Sequence, residues 1–153
     1  MMTYDVMIKE EPDELVASIR RRIAPEQISE VIPDAFEHLM TAVGPVGYGD
    51  GMPGIVMHEM RPPEVADVEV FMPVAERFEP PAGVDVTTLR GGTMVATVHT
   101  GPYGESGPAY QALTEWIDDH GKQIVGPPRE LYLNDPNVVG MEHAETEIEF
   151  PVA

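Results

Sequence analysis

The sequence predicts an α+β fold made of duplicated β-β-α-β-β units with an antiparallel sheet, related by a pseudo-two-fold axis, with a cleft between the halves. Three observations carry that expectation: an internal repeat, a switch of apolar period from two to about 3.6 in each half, and glycine and proline punctuation between the runs. The repeat shows in four segment pairs in the same order. Tyr4-Asp5-Val6 resembles Val84-Asp85-Val86, and Leu15-Val16-Ala17-Ser18-Ile19-Arg20 resembles Met94-Val95-Ala96-Thr97-Val98-His99. Ala35-Phe36 with Leu39 resembles Ala109-Tyr110 with Leu113, and Glu69-Val70-Phe71-Met72-Pro73-Val74 resembles Glu147-Ile148-Glu149-Phe150-Pro151-Val152. A chain of 153 residues fits one domain, residues 1–153, with repeat halves of about 1–79 and 80–153.

In the first half, strands are expected at residues 4–10 and 14–23. A helix is expected from about 25 to 43, because Ile28, Val31, Ile32, Ala35, Phe36, Leu39, Met40 and Val43 recur at spacings of three and four. Pro33 is expected to break or kink it, and Gly44-Pro45 to end it. Strands follow near 54–60 and 65–73, separated by Arg61-Pro62-Pro63. Pro80-Pro81-Ala82-Gly83 reads as the connector between halves. The second half then predicts a hairpin of residues 84–89 and 93–100 around Gly91-Gly92. A helix near 106–120 buries Ala109, Tyr110, Leu113, Trp116 and Ile117 and stops at Gly121. Strands near 129–134 and 144–152 close the unit.

Composition excludes several functions. With 27 Asp+Glu against 9 Lys+Arg the net charge is −18, so the chain lacks the basic footprint that direct nucleic-acid binding needs. Arg20-Arg21-Arg22, the one basic cluster, is expected at a strand end among acidic neighbours. Without cysteine there are no disulfides, thiolate nucleophiles or zinc–thiolate sites. No apolar run is long enough to span a membrane and no basic-then-apolar leader opens the chain, so the expected compartment is the cytoplasm.

No standard catalytic signature survives inspection. His38, His58, His99, His120 and His143 show no metal-ligand spacing and read as surface or half-buried imidazoles; no metal and no cofactor is predicted. Gly104-Glu105-Ser106-Gly107-Pro108 misses the nucleophile elbow at its last position, and Gly47-Tyr48-Gly49-Asp50-Gly51 lacks the lysine and helix start of a phosphate cradle. Carboxylates beside aromatic rings are the better lead. Alternation puts Glu130, Tyr132 and Asn134 on one strand face, and Asp67, Glu69 and Phe71 on another. Such a face is either solvated or receives an aromatic or lipophilic cation, to which each ring face contributes about 0.5–2 kcal/mol.

These residues resemble a known family. The stretch from Leu89 through Gly91-Gly92 to His99-Thr100-Gly101-Pro102-Tyr103 is similar to the glycine turn and His-x-Gly-Pro-Tyr segment of the GyrI-like domain. Ala109-Tyr110-x-x-Leu113-x-x-Trp116, then Pro128-Arg129-Glu130-Leu131-Tyr132-Leu133 with Asp135-Pro136, continue the pattern. The resemblance implies the effector-binding module of multidrug-sensing transcription regulators, in a free-standing form because no helix-turn-helix segment precedes it. It implies Glu130 as the anchor for a lipophilic cation with Tyr132 beside it, and Tyr103 and Trp116 lining the cleft. Phe71, Glu69 and Tyr48 are further ligand-binding candidates from the first half. Two alternatives stay open. One is a hydrolase of small cyclopropane-type electrophiles using Glu130 and Tyr132 as catalytic acid–base residues. The other is an accessory protein partner of a separate regulator.

Overall fold

The structure, a computed structural model, describes residues 3–153. Along the chain run β1 (Met7–Glu11), β2 (Glu14–Ile23), α1 (Ile28–Val43), β3 (Gly54–Arg61), β4 (Val65–Pro73) and β5 (Asp85–Leu89). Then come β6 (Gly92–Thr100), α2 (Gly107–Asp119), β7 (Arg129–Tyr132), a short α3 (Pro136–Val139) and β8 (Glu145–Pro151). All the strand pairs described below are antiparallel, so the α+β expectation holds. No helix among the described residues is long and apolar enough to cross a membrane.

Two compact units divide the chain, and neither coincides with a sequence repeat. One comprises the chain up to Glu11 together with Gly92–Ala153, the other Pro12–Gly91. In the first, strands lie in the order β1-β6-β8-β7. In the second the order is β5-β2-β4-β3. In each unit the second strand of that order is followed in sequence by the unit's long helix.

The hairpin expected around Gly91-Gly92 is absent. β5 pairs instead with β2, Glu14 opposite Leu89, while β6 pairs with β1, Glu11 opposite Gly92. Local chemistry explains the exchange. Asp13 accepts a hydrogen bond from the Gly91 backbone N–H at 2.7 Å and lies 3.6 Å from the Arg90 guanidinium, pinning residues 90–91 against 12–13 where both chains change partner. Gly92, at φ +129°, has the backbone freedom that the redirection requires.

In the discontinuous unit, Val95, Ile148 and Phe150 project from the sheet onto Ala109, Leu113 and Ile117 of α2. Alternation therefore sends Met94, Ala96, Glu147 and Glu149 to the opposite face. Gly121 ends α2 in the left-handed region, at φ +65°, as expected from its place after the last apolar residue. A Cβ there would meet nothing within 4 Å, so Gly121→Val carries a purely backbone cost of about 1–2 kcal/mol, measurable by urea unfolding.

In the other unit α1 buries Ala35, Leu39 and Val43. Ile28 and Val31 pack, with Met57, on Ile23, Ala66 and Val68. Pro33 does not break the helix; α1 runs through it, preceded by a 3-10 turn at Pro25–Gln27. The backbone bond that Pro33 cannot donate would go to Ser29, an exposed first-turn residue whose carbonyl water can reach. Met40, expected on the apolar stripe, is 51% exposed. Arg20 and Arg22 lie toward the end of β2, where Arg20 grips Asp67 through two bonds of 2.9 and 3.0 Å. That guanidinium holds the Asp67 carboxyl below the usual carboxylate range.

Candidate functional site

Glu130 and Tyr132 sit on β7 facing the same side as Thr97, Ile148 and Thr146, the side that α2 covers. Glu130 is half-buried. Tyr110, from α2, donates its phenol hydrogen to Glu130 Oε2, and Tyr132 donates to Glu130 Oε1 at 3.3 Å. Burial, and then the negative charge of Glu130, push both phenols well above the ordinary tyrosine value, so they remain protonated donors. Tyr103 joins them, its ring centroid 5.4 Å from that of Tyr132 at 59°.

The His-x-Gly-Pro-Tyr segment explains how Tyr103 arrives there. His99 is not the half-buried imidazole expected from sequence; it is 1% exposed. Its Nε2 bonds the Pro102 carbonyl at 3.0 Å, so Nε2 carries the hydrogen and Nδ1 accepts from the Tyr4 hydroxyl at 3.0 Å. Between them Gly101, at φ +127°, supplies a conformation that L side chains avoid. The chain thus turns sharply off β6 into the 3-10 turn Tyr103–Glu105. Opposite both His99 and Tyr132 in the strand register lies Thr146, whose buried hydroxyl has no hydrogen-bond partner.

Of the sequence-predicted residues, Glu130, Tyr132 and Tyr103 come together. Trp116 does not join them: its indole stacks on His120 with centroids 3.8 Å apart and packs on the α2 core. Glu69, Phe71 and Tyr48 belong to the other unit. Glu69 bonds His58 at 2.8 Å, Phe71 is 1% exposed, and Tyr48 is 55% exposed. Asn134 leaves the expected strand face, accepting from the Glu145 backbone N–H at 2.8 Å and closing the turn before β8. Tyr110 is the site residue that sequence reading missed as such, assigning it to core packing. Its signal was a phenol at the margin of an apolar stripe, since a buried tyrosine hydroxyl needs a polar partner.

The unit thus places a carboxylate bonded by phenols on the side of an antiparallel sheet that a helix covers, an α+β arrangement. The family model of the GyrI-like small molecule binding domain matches residues 4–153, and the chain belongs to that family. Among solved structures, the C-terminal domain of EcmrR is 25% identical with a TM-score of 0.87, each chain covered over 99% of its length. The chain spans 58% of the EcmrR chain seen in its DNA complex. SAV2435 bound to tetraphenylphosphonium is 18% identical with a TM-score of 0.69, covering 99% of this chain and 94% of that one. A hydrolase from Listeria innocua is 13% identical with a TM-score of 0.74, covering 97% and 91%. The last two likenesses concern the fold alone. No curated protein matches the chain.

Proposed function

We propose that the chain binds lipophilic, aromatic cations at Glu130, serving drug sensing or sequestration in the cytoplasm. The observation that carries this reading is the pairing of Glu130. A half-buried carboxylate has two neutral phenols as its hydrogen-bond partners, with no basic side chain paired to it among the described residues. A carboxylate withdrawn from water without a counter-charge costs several kcal/mol, and a bound cation offsets that cost. The rings of Tyr103, Tyr110 and Tyr132 supply π-faces, each contributing about 0.5–2 kcal/mol to a cation. The partnerless Thr146 hydroxyl, opposite Tyr132, offers a polar contact to an occupant. The tetraphenylphosphonium held by the structurally similar SAV2435 is a ligand of this chemical type.

The test is titration of tetraphenylphosphonium and a rhodamine-type dye into wild type and Glu130→Gln at low and high salt. Glu130→Gln should weaken binding at least about tenfold at both salts, because a buried charge pair is screened little. Binding that fades with salt in both proteins alike would mean that only the surface charge of −18 is felt, and the reading would fall.

A further inference from the structure

On the face of β8 turned away from α2, Glu147 and Glu149 point the same way, two residues apart. Glu11, from the end of β1, brings a third carboxylate. One oxygen from each of the three lies within 4.8 Å of the others. We propose that Glu11, Glu147 and Glu149 form a site for a hard divalent cation of calcium's size, which replaces the Lys9 ammonium among them.

Donor chemistry and size select this class of ion. Three carboxylate oxygens suit hard cations, and an ion bonded to each at about 2.4 Å fits between oxygens that far apart. Lys9 now fills part of the position, with Nζ 2.7 Å from Glu147 and 2.9 Å from Glu11. It hydrogen-bonds those two carboxylates and acts on the third, Glu149, only at longer range. Glu149 is 1% exposed, yet its Oε2 has no hydrogen-bond partner, an arrangement that costs free energy in an empty protein. Lys9 lies on β1, a strand at the end of the sheet order, with its side chain 31% exposed, so it can swing into water when an ion enters. Once all three carboxylates are ionised, Arg129, opposite Glu149 in the register, leaves them a net surplus of two negative charges. Sequence spacing could not show this group, because Glu11 is more than a hundred residues from the other two.

The test is calorimetric titration of Ca²⁺, and water-relaxation titration of Mn²⁺, into the chelator-treated full chain at about 0.1 M salt, which screens loose surface association. Wild type should bind one equivalent saturably. Glu149→Gln and Glu11→Gln should each weaken it at least about tenfold, and Lys9→Met should tighten it several-fold. Glu11→Gln and Lys9→Met carry the test alone if Glu149→Gln fails to fold. No saturable equivalent in wild type, binding confined to Lys9→Met, or affinity indifferent to both glutamine variants would overturn the site.

Discussion

Phe71→Ala lowers the unfolding free energy by about 3–5 kcal/mol, the range for removing a fully enclosed phenyl ring. The ring is 1% exposed on β4, opposite Ser18 of β2 and Gly54 of β3 in the register, and those neighbours lie in regular strands that collapse poorly into the space left behind. The measurement is urea unfolding followed by far-UV circular dichroism. Its value lies in separating two roles that the sequence left joined, since Phe71 was also a ligand-binding candidate. A stability loss of that size with tetraphenylphosphonium affinity unchanged assigns the ring to the core. A loss below about 1 kcal/mol, with affinity reduced, assigns it to the ligand.

The second large effect concerns Glu149 and acidity. Burial, and then the neighbouring charges of Glu11 and Glu147, raise its carboxyl from 4.5 to about 7, against the opposing pull of Arg129 and Lys9. The native state therefore keeps a proton that the unfolded chain has released at intermediate pH. Stability from this group is fully present below about pH 4.5, declines as pH rises through 7, and is flat above. The shift corresponds to about 3 kcal/mol. Unfolding curves from pH 4.5 to 8 in the presence of a chelator should show Glu149→Gln gaining on wild type by about that amount, because the amide stays neutral throughout. Parallel pH profiles for the two proteins would refute the assignment. The same substitution is expected to cost cation affinity, so the residue trades stability against binding.

How much of this was readable in advance follows from the range of the interactions involved. β2, β4 and the two long helices were legible because their apolar periods are local properties, and Gly121 marked a helix end for a stereochemical reason. Glu130 and Tyr132 were legible as a pair because strand alternation puts them on one face, and the family resemblance added Tyr103. The strand exchange was not legible, because Asp13 holding Gly91 joins residues 78 apart. Pro33 misled because its consequence depends on whether the freed carbonyl faces water. Tyr110 and the carboxylate group at Glu149 depend on which strands and helices lie side by side, and no window of sequence contains that information.

The pairing of β1 with β6 has a consequence for biosynthesis. Residues 7–11 leave the ribosome before their partner, Gly92–Thr100, which follows more than eighty residues later. Pro12–Gly91, one compact unit, is made entirely within that interval. The strand Met7-Ile8-Lys9-Glu10-Glu11 therefore lacks its native partner while the segment behind it is made. Three of those five residues are charged, a composition that disfavours edge-to-edge pairing of an unpartnered strand. Lys9 and Glu11 thus bring charge to the strand before they take up their ion pairs in the finished protein.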